Sequence, residues 1–233
     1  MTGYNEFAGP ETLDLRRLAL VVTGSANASS MPFWLTWLRE AYPELEITVV
    51  VTRSAQRFVT RTALAGRTPG DVLVDEWPAD DDRARHVELA EWAEAFIVYP
   101  ATLHFVARLA LGLADTPAVL AAQCTAAPVV VAPALPPGGM FSAAYRSHWA
   151  ALAERDNLVL VAPKPGVSLT TGRADAWVPP PFPEVVTALA GRLAEAVAPV
   201  LPDLAGPAAP ASPSITVAAT GATGATGTAG ARP

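Results

Sequence analysis

Six short runs, most of them continuously apolar and separated by helical segments, limit most strongly what this chain can fold into. They span residues 18–23, 47–51, 71–74, 96–99, 129–132 and 158–161. Because polar and apolar residues do not alternate in them, each is predicted to be a strand buried on both faces. Strands of this kind between helices are typical of a parallel sheet. We therefore predict an α/β fold, Rossmann-like (flavodoxin-like), with about six parallel strands and helices on both faces.

Helix signals lie between these runs. Ser29 and Ser30 precede Met31 and Pro32, and a serine cap with proline in the first turn is typical of a helix start. Further helices are predicted over residues 53–64, 86–92, 103–111, 141–154 and 184–197. An acidic turn at residues 80–82 is predicted to cap the helix that begins at His86.

The composition divides the chain into three parts. Residues 1–14 are predicted to form an N-terminal arm, and residues 15–201 the folded domain. From about Pro202 the chain is almost entirely Ala, Pro, Gly, Thr and Ser, with a repeated Thr-Gly-Ala triplet. Such a segment cannot bury enough apolar surface to offset its ordering entropy, so residues 202–233 are predicted to be disordered.

Charge and hydropathy exclude several classes of partner. The chain has 16 Lys and Arg against 22 Asp and Glu, a net charge of −6, whereas nucleic-acid and anionic membrane surfaces need clustered basic residues. The uncharged stretch between Asp115 and Arg146 is interrupted by prolines, so it is predicted to form short buried strands and turns rather than a membrane span. With no signal segment at the N-terminus and a single cysteine, Cys124, we predict a cytoplasmic protein.

The loops after the strands are the expected ligand sites, because parallel sheets bind ligands beyond the carboxyl ends of their strands. The first loop, at residues 23–28, lacks the spaced glycines of dinucleotide and triphosphate loops. Its Gly24-Ser25 turn can still present a hydroxyl and backbone N–H groups to a phosphate. The alternative is that the turn only leads into the following helix.

His86 is the candidate for proton transfer. It begins a helix, and the helix dipole at that end favours the neutral imidazole that can accept a proton. The alternative is a surface histidine without chemistry. A metal site is not predicted, since His86, His104 and His148 lack the spacing of a helix-borne site, and no turn carries the pattern of a serine nucleophile.

Several segments, in order, resemble one enzyme family. They are residues 86–94, 96–102 and 107–115, the last with Ala107, Ala110, Gly112 and Asp115 at matching positions. The loops at residues 23–26 and 52–59 match too, so that the resemblance covers about residues 17–197. The family is the homo-oligomeric flavin-containing cysteine decarboxylases, which include phosphopantothenoylcysteine decarboxylase and the lanthipeptide (epidermin- and mersacidin-type) peptidyl-cysteine decarboxylases. The resemblance implies that residues 15–201 form a flavoprotein domain.

The resemblance implies roles for individual residues. His86 matches the catalytic histidine, and residues 167–173 fall at a flexible clamp that closes over the bound peptide. The positions implied to bind flavin are Gly24, Ser25, Ala26, Thr52, Ser54, Phe58, Pro100, Ala101, Thr102 and His104. The positions implied to bind substrate are Pro136, Met140, Ser168, Thr170, Thr171 and Arg173.

Two positions depart from the family's motifs. His104 replaces the asparagine of Pro-Ala-Ser-Ala-Asn-Thr. Pro136 replaces the asparagine of Pro-x-Met-Asn-x-x-Met-Trp, which helps to hold the substrate carboxylate, and proline has neither a side-chain amide nor an N–H. Either Arg173 or His104 takes over the carboxylate, or the chain is a divergent member.

The missing clamp cysteine favours one reaction. Phosphopantothenoylcysteine decarboxylase uses such a cysteine to reprotonate its intermediate, and this clamp has none. The resemblance then implies oxidative decarboxylation of the C-terminal cysteine of a ribosomally made precursor peptide to an aminoenethiol, for an aminovinyl-cysteine ring. The alternatives are phosphopantothenoylcysteine decarboxylase and a catalytically inactive flavin-binding module. A flavin prenyltransferase would need basic residues for its phosphorylated donor.

The family also implies the assembly and the cofactor. Its flavin sites lie between subunits of trimers that pair into dodecamers, so a homo-oligomer is expected. The family favours FMN as the cofactor. FAD is the alternative, because the sequence has no distinctive feature that reports on an adenine pocket.

Overall fold

The computed structural model describes residues 7–77 and 82–197. The chain divides into two units, and these residues all belong to the first, Met1–Ala198. The second unit, Pro199–Pro233, contains the predicted tail and lies outside the described residues, as do residues 1–6 of the predicted arm.

A six-stranded parallel sheet forms the centre of the described domain. Its strands are β1 (Arg17–Val22), β2 (Glu46–Val51), β3 (Val72–Val74), β4 (Ala95–Thr102), β5 (Val129–Ala134) and β6 (Leu158–Leu160). Their order in space is β3-β2-β1-β4-β5-β6. After β3 the chain crosses back to place β4 beside β1, and the direction of winding therefore changes between β1 and β4. Ligands of open parallel sheets bind at such a switch point.

Within the described residues, seven helices cover the two faces of this sheet. They are α1 (Met31–Ala41), α2 (Arg61–Ala65), α3 (Arg85–Trp92), α4 (Leu103–Ala110), α5 (Pro117–Cys124), α6 (Ala143–Ala153) and α7 (Phe182–Val197). One apolar cluster joins the sheet to α1 and α7, and the other joins it to α3, α4, α5 and α6. Because both faces are covered, β4 and β5 consist almost wholly of buried residues. The predicted α/β fold is confirmed.

The helix predicted over residues 53–64 is wrong. The structure has a 3₁₀ turn at Ala55–Arg57, and only the short α2 follows. Thr60 separates them with an extended backbone (ψ 150°), and its hydroxyl accepts a hydrogen bond from the Ala63 N–H. A second helix start therefore interrupts the segment.

The predicted serine cap of the first helix also needs correction. A 3₁₀ turn over Ala26–Ser30 precedes α1, and its N-cap is Ser25, whose Oγ accepts from the Asn27 N–H. Ser30 has helical backbone angles, and its side chain caps no N–H among the described residues. For α3 the N-cap is Ala84, while Asp80 and Asp81 of the predicted acidic cap lie outside the described residues.

The prediction for residues 115–146 missed a helix. Pro117 interrupts a membrane span, but at the first position of α5 it is compatible with a helix, because the N–H that proline lacks would have no intrahelical partner there. Of the predicted strands, β5 is present. None of the helices within the described residues has the length and apolarity needed to cross a bilayer.

A small antiparallel hairpin, which was not predicted, follows β6. Its strands are β7 (Lys164–Gly166) and β8 (Ala176–Val178). Between them lie residues 167–175, which include the clamp implied by the resemblance. Residues 7–14 pack on α1, where the Trp37 Nε1–H donates to Phe7 O at 3.2 Å and the Tyr42 hydroxyl to Pro10 O at 2.7 Å.

Candidate functional site

A single hydroxyl joins the loop after β1 to the last residues of β4, on the two sides of the switch point. Thr23 is buried, its Oγ1 donates to Pro100 O at 2.6 Å, and the same oxygen accepts from the Thr102 N–H at 2.8 Å. Thr102 in turn caps α4, where its Oγ1 accepts from the Phe105 N–H at 3.4 Å. The predicted residues Pro100, Ala101 and Thr102 are therefore held against the first loop.

The loops after β1 and β2 are in contact as well. A Cβ built on Gly24 would lie 2.4 Å from Ser54 Oγ, so only glycine fits there without a shift. Thr52 Oγ1 lies 3.2 Å from Ser54 Oγ and accepts from the Ala55 N–H at 3.2 Å. The first, second and fourth strands thus bring their predicted residues to one edge of the sheet.

The groups gathered at this edge fit a phosphate ester. They include the hydroxyls of Ser25, Thr52, Ser54 and Thr102 and the N-terminus of α4, whose first N–H groups have no intrahelical acceptor. Arg53, in the loop after β2, is exposed and pairs with Glu76 at 2.9 Å. The set can bind an anion mainly through neutral donors. Of the other predicted flavin residues, Ala26 starts the first 3₁₀ turn, while Phe58 and His104 are exposed.

His86 lies in the first turn of α3, which is at the same edge of the sheet because the helix runs back to the start of β4. The side chain is half-buried, and its Nδ1 is buried without a hydrogen-bond partner among the described residues. The ring packs edge-to-face on Trp77, with centroids 5.4 Å apart. A buried imidazole nitrogen without a partner is rare in folded proteins, and catalytic groups are one class in which it occurs.

Sequence reasoning missed two buried charged residues at this edge. Asp75 follows β3 directly, and Arg108 belongs to α4; they are 4% and 5% exposed. Burial raises the pKa of Asp75, while hydrogen bonds from the Ala118 N–H and the Thr116 hydroxyl oppose that rise. The one signal in the sequence was the position of Asp75, immediately after a buried strand. It was missed because a charged residue in the loop after a strand is expected to be exposed to solvent.

The clamp loop has a defined internal structure. Ser168 is buried, its N–H donates to Arg173 O at 2.8 Å, and its carbonyl accepts from the Gly172 N–H at 2.8 Å. Thr170 and Thr171 are exposed at its tip. The Arg173 guanidinium is also exposed and donates from Nε to Asp175 Oδ2 at 2.7 Å.

The clamp is tied to the segment that carries Pro136. Leu135 pairs with Trp177 of β8, with N···O distances of 2.8 and 3.1 Å. Pro136 is exposed, and Met140 is partly buried in the apolar cluster below it. The structure therefore brings the predicted substrate residues of the two segments into one unit.

A cavity of about 310 Å³ lies elsewhere, between α3 and the sheet. It is lined by Thr48, Asp71, Leu73, Arg83, Arg85, Glu88, Leu89 and Trp92, a set distinct from the predicted site residues. Within residues 7–77 and 82–197, no three His, Cys, Asp or Glu side chains are close enough to hold a metal ion.

Two known sequences are similar to the larger part of the domain. The cypemycin cysteine dehydrogenase (decarboxylating) of a Streptomyces species is 43% identical over 128 residues, which are 54% of this chain and 67% of that protein. The coenzyme A biosynthesis bifunctional protein CoaBC of Vibrio vulnificus is 33% identical over 128 residues. The aligned region spans 31% of the length of CoaBC.

Solved structures match over most of the chain. The crystal structure of the cypemycin decarboxylase CypD has a TM-score of 0.66 and 33% identity, covering 80% of this chain and 98% of that one. The FMN-dependent cysteine decarboxylase TvaF from thioviridamide biosynthesis has a TM-score of 0.64 and 27% identity, covering 78% and 99%. A family model described as Flavoprotein matches residues 7–193, and the chain therefore belongs to the Flavoprotein family.

Proposed function

We propose that this flavoprotein is an FMN-dependent peptidyl-cysteine decarboxylase, which oxidatively decarboxylates the C-terminal cysteine of a ribosomally made precursor peptide to an aminoenethiol. The observation that carries the proposal is the unbonded, buried Nδ1 of His86 at the edge where the hydroxyl-rich loops converge. The similar cypemycin enzyme is named both a dehydrogenase and decarboxylating, which supports the oxidative route.

The flavin phosphate is assigned to the hydroxyls of Ser25, Thr52, Ser54 and Thr102, with the first N–H groups of α4. Gly24 lets the first loop approach the second closely enough to form this cradle. When bound, the flavin would supply the two-electron acceptor for oxidation of the substrate thiol. FMN is favoured because the TvaF relative is described as FMN-dependent.

His86 is assigned as the base. Oxidation of the cysteine side chain removes two electrons and two protons, turns the Cβ–S single bond into a thioaldehyde, and places a C=S bond β to the carboxylate. The carboxylate then leaves as CO₂, and the electron pair of the broken Cα–C bond moves on to sulfur as an enethiolate. The imidazole of His86 is assigned to take a proton from the substrate in the first step.

The clamp and the segment at Pro136 are assigned to the peptide. Pro136 offers no donor to the carboxylate, so Arg173 or His104 takes that role. The guanidinium of Arg173 has donors beyond the Nε that is bonded to Asp175. A guanidinium is suited to paired hydrogen bonds with a carboxylate.

The proposal also covers the product, the cellular compartment and the assembly of the enzyme. The enethiol is destined for the aminovinyl-cysteine ring of a lanthipeptide-type product, in the cytoplasm. The enzyme is proposed to be a homo-oligomer, a trimer or a dodecamer built from trimers.

Phosphopantothenoylcysteine decarboxylase is the second candidate, because the CoaBC proteins are similar to this chain. That reaction needs a cysteine in the clamp. Cys124 ends α5 just before β5, and therefore lies at the amino edge of the sheet, opposite the edge from which the clamp extends. It is exposed there and too remote to act as the proton donor.

The experiment compares the wild type with His86→Asn, using His148→Asn on α6 as a matched control. All three proteins are purified, their released cofactor is identified by mass, and each is given a peptide that ends in cysteine. We expect all three to carry FMN, and the wild type and the control to produce a peptide lighter by CO₂ and two hydrogens. His86→Asn is expected to keep the flavin and lose the product.

Three outcomes contradict the proposal. One is a colourless protein that neither flavin reconstitutes, and another is turnover of phosphopantothenoylcysteine but not of the peptide. The third is a wild type as inert as His86→Asn on every cysteine-terminated peptide, which would indicate a flavin-binding module without catalysis.

A further inference from the structure

Asp75 and Arg108 are buried charged residues that the proposed chemistry leaves unused. The hydroxyl of Thr116 connects them: it donates to Asp75 Oδ2 at 2.8 Å and accepts from Arg108 Nη2 at 2.6 Å. Asp75 Oδ1 also accepts from the Ala118 N–H at 2.8 Å, which caps α5 from outside the helix. Removing one partner from a buried charge is costly, so this arrangement holds its members in place.

The network continues from Arg108 to Asp115. Arg108 Nε donates to Asp115 Oδ1 at 2.8 Å and so holds the side chain of Asp115. The backbone carbonyl of Asp115 takes no part in this bond. That carbonyl accepts a hydrogen bond from Trp77 Nε1 at 2.9 Å. Trp77 lies on an exposed loop after β3, and this bond fixes the orientation of its indole ring.

Trp77 is the residue that meets the proposed base. Its ring and that of His86 are 5.4 Å apart at 74°, the edge-to-face geometry that aromatic pairs prefer. His86 Nδ1 is without a hydrogen-bond partner in the described part of the chain, so ring packing takes the place of the usual hydrogen bond that orients a histidine.

We propose that Trp77 is a positioning residue for His86, and that Arg108 and Asp75 act through Asp115 to hold Trp77. This inference rests on the proposed function in that it makes His86 the base. The path from buried charge to imidazole runs through Thr116, Asp115 and the indole ring.

The test measures the position of His86 without needing a substrate. Diethyl pyrocarbonate modifies neutral imidazoles, and peptide mapping gives separate rates for His86 and for His148 in the same flavin-loaded molecule. Trp77→Phe keeps an aromatic ring but removes the N–H donor to Asp115. We expect it to raise the modification rate of His86 severalfold and to leave that of His148 unchanged.

The matched control is Trp92→Phe, the same substitution at the other end of α3. It is expected to leave the rate at His86 unchanged. With the peptide substrate, Trp77→Phe is expected to lower kcat about tenfold at unchanged KM and flavin content, because small misplacements of a catalytic group are costly.

Arg108→Lys tests the remote part of the path. It keeps the positive charge but cannot reproduce the fork that holds Asp115 and Thr116 together. We expect it to raise the modification rate of His86 as well. Urea unfolding of each variant reports any loss of stability separately.

Unchanged His86 rates in both Trp77→Phe and Arg108→Lys, whether or not stability falls, would show a purely structural network and overturn the inference. A wild type without turnover contradicts the proposed function instead. The modification rates still decide the positioning in that case.

Discussion

Gly24 and Ser54 approach each other so closely that no side chain fits between them. A Cβ at position 24 would lie 2.4 Å from Ser54 Oγ, 2.5 Å from its Cβ and 2.9 Å from its backbone carbon. Because a backbone atom is among these contacts, repacking of the serine side chain cannot relieve the clash. The loops after β1 and β2 are therefore built around the absence of a side chain at this position.

Gly24→Ala is expected to force these loops apart. Overpacking of this kind destabilises a protein by about 1–3 kcal/mol, and here it also opens the proposed phosphate cradle. We expect a lower free energy of unfolding and a lower flavin content after purification, measured by urea denaturation and by absorption of the bound cofactor. The control is Gly191→Ala in α7, where the new Cβ meets no atom within 4 Å beyond its chain neighbours and the adjacent helix backbone, and helix propensity predicts a gain of about 1 kcal/mol. Wild-type flavin content and stability in Gly24→Ala would contradict the close contact.

Two buried tyrosines give opposite expectations for the same substitution. The Tyr99 hydroxyl donates to Pro180 O at 3.0 Å, so Tyr99→Phe leaves a buried carbonyl unsatisfied and should cost about 1 kcal/mol or more. Tyr145 Oη is buried with no hydrogen-bond partner in the described part of the chain, so Tyr145→Phe should be neutral or stabilising. Thermal and urea unfolding of both variants provide the comparison. A larger loss in Tyr145→Phe than in Tyr99→Phe would contradict these assignments.

Glu94 should contribute to stability in a pH-dependent way. Its carboxylate accepts from the Arg16 N–H at 2.8 Å and from the Arg17 guanidinium, and these hydrogen bonds hold the pKa of Glu94 below its ordinary value. The contribution is therefore complete above the pKa in the unfolded chain, about 4.3, and is lost as the pH falls through the lower pKa of the folded state. Since the side chain is 37% exposed, we discount the contribution to under about 1 kcal/mol.

Glu94→Gln tests this linkage. At neutral pH it should be less stable than the wild type by that amount, and the difference should shrink as the pH falls below about 4. Urea denaturation across a pH series measures the difference. A gap that is constant with pH, or that widens in acid, would contradict the assigned direction of the pKa shift.

Arg173→Gln is expected to weaken binding of a cysteine-terminated peptide. A hydrogen bond to a charged group contributes about 1.5–3 kcal/mol, so KM should rise by about tenfold or more. Inhibition by the same peptide with an amidated C-terminus should be unaffected, because no carboxylate is present to be recognised. The control, Lys164→Gln, removes the same charge at the base of the hairpin, where Lys164 pairs with Glu184. Equal losses for the free and the amidated peptide would exclude Arg173 as the carboxylate donor and leave His104.

The sheet could be predicted because its signal is local. Each strand is a short apolar run, and burial on both faces of a parallel sheet selects such runs directly. Residues 53–64, predicted as one helix, and residues 117–124, where a helix was missed, could not be predicted so well. The first is broken by the cap at Thr60, and the second is capped by Asp75, a residue far away in sequence.

The hairpin was missed for a related reason. β7 contains Pro165 and Gly166, residues that are depleted in strands, and each strand of the hairpin is only three residues long. Its position is set by the bridge between Leu135 and Trp177, which no local pattern reveals. At the site, the loops carrying Gly24 and Ser54 and the end of β4 at Thr102 could be located because the carboxyl ends of predicted strands mark them. The buried network at Arg108 could not, since a lone arginine in a helix is usually exposed.

The bifunctional hydroxyl of Thr23 restricts how enzymes of this kind can be recombined. It donates to Pro100 O and accepts from the Thr102 N–H. The backbone at the end of β4 therefore has to lie where the β1 loop places this hydroxyl. A chimaera that takes the β1 loop from a relative must therefore keep a hydroxyl at position 23 or take the end of β4 with it. Diversification of cofactor pockets on this scaffold is then expected to proceed by exchanging such loops in pairs.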